Sequence, residues 1–318
     1  MTRTPKLAAD DRPILIASLF VLVILALGSG YTLLTQGSLA FLTPTYLLQQ
    51  LQVAAFLGIV AAGMMLVILL GHIDLSVPWT LAAGAMMATA VGGPLALPVG
   101  VGVGLFVGLL NGLGVAYLRV PSMIFTLGMN AVLRGLMVMH TGGFAPQTHA
   151  TELMAWLATG RLLGLPMALL VWMLLSALMV LLLQRTVFGR YVYAIGNREA
   201  ASYLSGVPTR AVLVGAFVLC GGCAALAGVL LAGYSTKAYQ GMGDPYLLPS
   251  IAAVVIGGTH ILGGRGRYAG TVVGTVLITL LSSVLSVMQM AEAGRQVIYG
   301  LVIIVMLLAY GRTQKLQA

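Results

Sequence analysis

Long apolar runs, separated by short groups of glycine, proline and arginine, fill almost the whole chain. Many of them approach the length of roughly 20 residues that a helix needs to cross the hydrocarbon core of a bilayer. The pattern predicts about ten spans of this kind. They lie at 14–34, 51–70, 78–92, 97–117, 121–139, 162–183, 211–232, 247–262, 270–290 and 296–311.

The composition supports a membrane protein. Of the 318 residues, 60% are hydrophobic and 7% are charged, whereas about a quarter of an ordinary soluble domain is charged. So few polar side chains cannot cover a surface exposed to water, and two cysteines are too few for a disulfide framework. We therefore expect an all-α, polytopic membrane protein in which residues 1–318 form a single transmembrane domain.

The positions of Lys and Arg indicate the orientation of the spans. With the N-terminus in the cytoplasm, twelve of the 16 Lys and Arg residues lie in cytoplasmic segments, three lie outside, and Arg134 lies within a span. Because translocation of basic residues is unfavourable, this distribution favours an even number of spans and places both termini in the cytoplasm. Arg3, Lys6 and Arg12 precede a run that is too long for a signal peptide, so we interpret it as a retained helix.

The chain lacks the motifs of common catalytic sites. It contains no G-x-x-x-x-G-K-[ST] and so cannot hold ATP in a P-loop, and it has neither H-E-x-x-H nor G-x-S-x-G. Its four histidines are scattered along the sequence, so we expect no metal site, no cofactor and no catalytic residue. Asp74 and Arg134 are the candidates for charged residues within the membrane, and two such groups on different helices give little support for ion-coupled transport. An uncharged polar solute, moved with energy from another subunit, fits this scarcity better.

Two sets of polar residues are candidates for the substrate pathway. Asp74 and Ser76 separate two apolar runs, which indicates a broken helix. In one interpretation the two residues shape the passage or its gate. In the other, the Asp74 side chain caps the third helix. The other set is Asn111 on the fourth helix together with Thr126, Asn130 and Arg134, which share one face of the fifth. Such groups can bind sugar hydroxyls, but polar residues in spans also join helices, and Arg134 can equally pair with Asp74.

Glycines recur at four-residue spacing on the fourth span. Residues four apart share a helix face, so this stripe predicts a groove into which another helix backbone fits closely. We interpret the groove as packing alone. Its members are Gly100, Gly104, Gly108 and Gly112.

The cytoplasmic loop predicted at 184–210 contains the sequence FGRYVYAIGNREAASYLSGVP. Short helical stretches separated by Gly196 and Gly206 are predicted in it, and the one at 198–204 ends at Gly206 and Pro208. This sequence resembles the ATPase-docking loop in the permease subunits of bacterial ABC sugar importers. Those permeases are the ribose, xylose, arabinose and galactose type of the branched-chain permease superfamily. Four further blocks resemble the same family in the same order, and together the five extend far beyond a single motif. They are GHIDLSVPWTLAAG (71–84), GLLNGLGVAYLRVPSMIFTLGMNAVLRGL (108–136), SIAAVVIGGTHILGGRGRYAGTVVG (250–274) and RQVIYGLVII (295–304).

The resemblance implies a permease of the bacterial inner membrane that moves a monosaccharide, a pentose or hexose, into the cytoplasm by alternating access. It implies two ATPase subunits, a second permease, a periplasmic sugar-binding protein and membrane lipid as partners, without nucleic acid. Contact with the ATPase would fall on eight residues of the 184–210 loop. They are Gly189, Arg190, Gly196, Asn197, Glu199, Ala200, Ala201 and Gly206.

Some residues depart from the family pattern. His72 replaces a glycine, Pro78 and Trp79 replace a Gly-Ser pair, and Leu247 and Pro249 stand where many members carry acidic residues. These departures suggest one half of a heterodimer, with a homodimer as the alternative. Other solutes, a branched-chain amino acid or a signalling furanose, stay open within the superfamily. A secondary transporter and a purely structural membrane subunit are the alternatives from other classes.

Overall fold

The computed structural model describes residues 12–144 and 148–315, so Arg3 and Lys6 lie outside the described residues. Helices form nearly all of this part of the chain. Their bounds are α1 Arg12–Gln36, α2 Pro44–Leu69, α3 Val77–Val91, α4 Ala96–Leu118, α5 Ser122–Thr141, α6 Glu152–Thr159, α7 Met167–Arg185, α8 Val187–Asn197, α9 Glu199–Leu204, α10 Thr209–Tyr234, α11 Leu247–Ile256, α12 Tyr268–Val287 and α13 Glu292–Lys315. Three short 3₁₀ helices lie at Ala40–Leu42, Gly93–Leu95 and Asp244–Tyr246, and an antiparallel hairpin pairs Arg161–Leu162 with Leu165–Pro166.

Each predicted span coincides with a helix, although the bounds differ. The span predicted at 51–70 begins late, because α2 begins at Pro44. The span predicted at 247–262 ends late, because α11 ends at Ile256 and the chain turns through Gly258, whose φ of +90° favours glycine. In the 184–210 loop, the predicted helix at 198–204 corresponds to α9. The expected break at Gly196 is wrong by two residues: α8 continues through Gly196, and the chain changes direction at Arg198.

Seven of the described helices are long and apolar enough to cross a membrane, with mean hydropathy between 1.5 and 2.4. They are α1, α2, α5, α7, α10, α12 and the helix that runs through α4, while α3 and α11 are apolar but shorter. The chain is therefore an all-α, polytopic membrane protein.

The core lies along α2 and α10. In α2 83% of the most apolar window is buried and in α10 72%, compared with 17% in α1 and in α5. The glycine groove predicted on α4 is confirmed, because α10 packs directly into it. A Cβ on Gly104 or Gly108 would lie less than 3.0 Å from the α10 backbone at Gly221 or Phe217, respectively. These helices therefore pack backbone against backbone.

The two short apolar helices begin next to each other. α3 follows the irregular segment 70–76, and α11 follows a longer irregular segment that ends in the 3₁₀ turn Asp244–Tyr246. Gly243 sits so close to the backbone of Pro78 that a Cβ there would lie less than 3.0 Å from it. Interrupted helices are tolerated in membrane proteins where the irregular backbone is buried in protein or lines a cavity. The contact between these two helix starts brings polar residues from both halves of the chain together.

Candidate functional site

Segment 70–76 is held by hydroxyl groups from the first turns of α5. The Leu75 N–H donates to Thr126 Oγ1 at 2.9 Å, and the Ile73 N–H donates to Ser122 Oγ at 3.4 Å. Thr126 Oγ1 also donates to the Ser122 carbonyl at 2.8 Å, and its side chain is fully buried. These bonds satisfy backbone groups that an interrupted helix leaves free. Thr126 therefore holds the irregular segment in place.

Asp74 lies at the centre of a buried polar cluster. Its Oδ1 accepts hydrogen bonds from the Ser76 N–H at 2.9 Å and from the Ser76 hydroxyl at 2.6 Å. The Asn111 amide donates to Ser76 Oγ at 2.7 Å and lies 3.4 Å from both carboxylate oxygens of Asp74. All three side chains are at most 1% exposed. The structure thus joins Asp74, Ser76 and Asn111 just before the start of α3.

The polar residues on α5 become more exposed along the helix, from Thr126 to Arg134. Thr126 is buried, Asn130 is half-buried with a buried Oδ1 that has no hydrogen-bond partner, and Arg134 is exposed. The Arg134 guanidinium lies 5.9 Å from the centre of the Trp79 ring and interacts electrostatically with Asp244. The structure therefore does not pair Arg134 with Asp74, whose polar contacts are neutral groups.

Sequence reasoning missed Trp79 and Asp244 as neighbours of Arg134. Trp79 was noted as a departure from the family pattern, and Asp244 is one of seven acidic residues in the chain. That scarcity was the available signal. Nothing in the local sequence connects Asp244 with α5, because the two come together through contacts between segments that are far apart in the chain.

The 184–210 loop is attached to the core by a three-way backbone contact. The Gly264 N–H donates to the Leu69 carbonyl at the end of α2, at 2.9 Å. A Cβ on Gly196, near the end of α8, would lie less than 3.0 Å from both of these groups. The Tyr193 hydroxyl also donates to the Gly266 carbonyl at 2.9 Å. We call this contact between Leu69, Gly196 and Gly264 the glycine junction.

The residues predicted to dock an ATPase divide into two groups. Gly189 is buried in the first turn of α8, and Gly196 is half-buried in the glycine junction. The others are exposed, and they lie on α8, on α9 and in the turn after α9. They are Arg190, Asn197, Glu199, Ala200, Ala201 and Gly206.

His72 connects this surface with segment 70–76. Its Nδ1 lies 3.2 Å from Ser122 Oγ, and its side chain lines a cavity of about 480 Å³ that is also lined by Glu199 and Tyr203 of α9.

The helices and the buried polar segment define a polytopic membrane protein whose described contacts are close packing and hydrogen bonds. Within 12–144 and 148–315, no group of three or more His, Cys, Asp or Glu side chains is placed to hold a metal ion. Backbone contacts tie an exposed surface helix to the interrupted spans. Such an arrangement can transmit movement, and comparison with known proteins identifies the class more closely.

Residues 46–307 match the family described as the permease component of branched-chain amino acid transport systems. The ribose import permease protein RbsC of Escherichia coli K12 is 34% identical over 282 residues, which cover 86% of this chain and 88% of that protein. RbsC of Bacillus subtilis is 38% identical over 275 residues, 85% of each chain. The autoinducer 2 import system permease protein LsrC of E. coli DH10B is 34% identical over 264 residues, 81% of this chain and 77% of that protein. No solved structure shows significant similarity.

The chain belongs to this permease family. It is a multi-pass protein of the bacterial inner membrane and a channel-forming subunit of an ABC transporter. Such a subunit is not itself an enzyme, because ATP is hydrolysed by a separate chain. The resemblance stated from the sequence is therefore confirmed.

Proposed function

We propose that this chain is the permease subunit of an ATP-driven importer that carries a monosaccharide, a pentose or hexose, into the cytoplasm by alternating access. The observation that carries the proposal is the similarity to ribose import permeases, which extends over 85% or more of this chain. A match of that extent includes the interrupted helices as well as the 184–210 loop. The pathway and the coupling surface are thus both within the matched region.

In this proposal residues 1–318 form one domain with ten spans and both termini in the cytoplasm. The spans are α1–α5, α7 and α10–α13. The arrangement puts α6 and the hairpin outside, and α8 and α9 in the cytoplasm, in agreement with the positive-inside rule. The short helices α3 and α11 cross only part of the bilayer, and segments 70–76 and 235–246 complete those two spans.

Accessible cysteines test this orientation. The two native cysteines are buried in α10, so single cysteines can be introduced at exposed positions. In intact cells, a maleimide that cannot cross the membrane should label Thr159→Cys on α6. It should label Ala201→Cys on α9 only after the cells are permeabilised. Labelling in the reverse pattern would overturn the orientation.

The glycine junction supports the docking role of the 184–210 loop. An ATPase that moves α9 would also move α8, which meets α2 and the α11–α12 turn without intervening side chains. Close backbone contact leaves little room for compensating adjustment, because packed interiors are dense. Two ATPase subunits would bind in this way, one on each permease of a dimer.

The substrate pathway in this proposal follows the polar residues near α3 and α5. Asp74, Ser76, Asn111 and Thr126 shape its wall by fixing segment 70–76, and Asn130 and Arg134 line it. Mutually bonded groups at 0–1% exposure are suited to holding a shape. The exposed guanidinium of Arg134 is suited to meeting a solute.

Reconstituted transport tests the proposal. The chain is co-expressed with its neighbouring ATPase, permease and binding-protein genes, and the complex is placed in liposomes. Uptake of D-ribose, D-xylose, L-arabinose and D-galactose is measured with ATP, and with a proton gradient in the absence of ATP. We expect uptake of at least one sugar with ATP alone. Uptake driven by the proton gradient would instead identify a secondary transporter.

Docking is tested with a matched pair of variants. Ala201→Arg adds a bulky charge to the exposed surface of α9, whereas Thr159→Arg makes the same kind of change on α6. We expect Ala201→Arg to lose the co-purified ATPase and Thr159→Arg to retain it.

Recovery of a neighbouring permease would support the heterodimer. Full activity with this chain as the only permease would establish the homodimer.

A second candidate substrate is a signalling furanose, because LsrC, an autoinducer 2 permease, is 34% identical over 81% of this chain. The family description raises a third, a branched-chain amino acid. Both belong in the same uptake panel, with leucine as the amino acid. The solute that is taken up with the binding protein present decides between the three.

A further inference from the structure

Arg134 is in an unusual position for a charged residue. It lies on α5, an apolar helix of the membrane domain, seven residues before the end at Thr141, or about 10 Å along the helix axis. Its side chain is exposed, and among the described residues it forms no hydrogen bond to protein. Charged side chains within spans are costly unless they face protein or water. Arg134 therefore faces a water-filled space or a partner subunit.

Three groups surround this guanidinium. The Trp79 ring lies beneath it at 5.9 Å, and only 6% of Trp79 is exposed. Asn130 lies one turn away on the same face of α5. Asp244 is exposed and close enough for an electrostatic interaction with Arg134, yet within the described chain the two form no direct ion pair.

Contacts between three segments support this arrangement. Trp79 is in the first turn of α3, and Gly243 presses on the backbone of Pro78 beside it. The segment before Asp244 is tied to the end of α5, because the Gln240 side-chain amide donates to Thr141 Oγ1 at 2.7 Å. The segments that carry Trp79 and Asp244 are thus in contact with each other and with the end of α5.

We propose that Arg134 and Asp244 form a weak binding site for the hydroxyl groups of a neutral sugar, above the face of Trp79 and within the membrane domain. A guanidinium only donates hydrogen bonds and a carboxylate only accepts them, whereas a hydroxyl does both. A sugar with neighbouring hydroxyls can therefore bridge the two groups without adding charge to the site. Trp79 holds the guanidinium in place by a cation–π contact.

This inference rests on the proposed function and deepens it. A zwitterionic amino acid is the competing ligand, because its carboxylate could bind Arg134 and its ammonium group could bind Asp244. The similarity to ribose import permeases favours the sugar. Leucine uptake therefore belongs in the test as an outcome that would contradict the assignment.

The test uses the complete transporter in liposomes with saturating binding protein, and the sugar of the panel that is taken up fastest. Arg134→Gln and Asp244→Asn should each lower the uptake rate about tenfold or more, the effect of losing one charged hydrogen bond. Gly135→Ala is the matched control on α5, because its Cβ would meet no atom within 4 Å. It should transport at the wild-type rate.

Monodeoxy analogues of the sugar separate binding from a purely structural effect. Removing a bridging hydroxyl should slow uptake by the wild type but have little further effect in Arg134→Gln or Asp244→Asn. Rates are divided by the amount of assembled complex, so poor folding of one variant does not decide the result. Normal sugar uptake by both variants, or additive losses with every analogue, would overturn the site. Absence of any ATP-dependent sugar uptake by the wild type, including uptake of leucine in its place, would instead overturn the proposed function.

Discussion

The α4–α10 contact predicts opposite effects for the same substitution at two glycines of one helix. A Cβ on Gly104 would lie less than 3.0 Å from the Gly221 carbonyl and the Ala225 side chain, whereas a Cβ on Gly102 would meet no atom within 4 Å. Ordinary contact begins at 3.4 Å, so Gly104→Ala must push α10 away. Overpacking of this kind costs about 1–3 kcal/mol. Alanine also favours a helix over glycine by about 1 kcal/mol.

We therefore expect Gly104→Ala to lose about 1 kcal/mol of unfolding free energy after both effects, and Gly102→Ala to gain up to about 1 kcal/mol. The two variants should differ by roughly 2 kcal/mol although each adds one methyl group. Purified proteins in detergent are unfolded by heat, and the midpoint is followed by tryptophan fluorescence. A Gly104→Ala variant as stable as Gly102→Ala would refute the close packing of α4 against α10.

Three other substitutions test the site. Asp74→Asn keeps an oxygen that can accept a hydrogen bond from the Ser76 N–H, so we expect normal membrane abundance and near-normal uptake. Loss of uptake at normal abundance would instead show that Asp74 acts as a charge-dependent gate. Thr126→Val leaves the Leu75 N–H unpaired and should cost about 1–3 kcal/mol in thermal unfolding, with Thr126→Ser as the control. Gly196→Ala should disturb the glycine junction and lower uptake per ATP hydrolysed, with the ATPase still bound; unchanged stoichiometry would exclude a coupling role.

Much of the fold could be predicted from the sequence, because membrane spans are long and uniformly apolar. Each predicted span lies on a helix, and the glycine stripe on α4 correctly indicated a close helix partner. Helix ends were less certain. The error at 247–262 arose because hydropathy continues past Ile256, whereas the backbone ends the helix at two glycines.

The candidate site was predictable only in part. Asp74 and Ser76 were recognisable as a break between apolar runs, and they are adjacent in the chain. Spacing alone suggested that Thr126, Asn130 and Arg134 share one role, but helix α5 buries Thr126 and exposes Arg134. Spacing predicts which residues share a helix face, but it does not predict how that helix is inclined against its neighbours.

The sequence by itself determined that this chain is an all-α membrane protein, that it resembles sugar-importer permeases, and that it contains no P-loop motif. Those properties follow from local composition and from stretches of contiguous residues. Only the tertiary structure placed Asp244 near Arg134 and joined Gly196 to Leu69 and Gly264. These groups are far apart in the chain and meet through backbone packing, so no local pattern of hydrophobic and polar residues encodes their proximity.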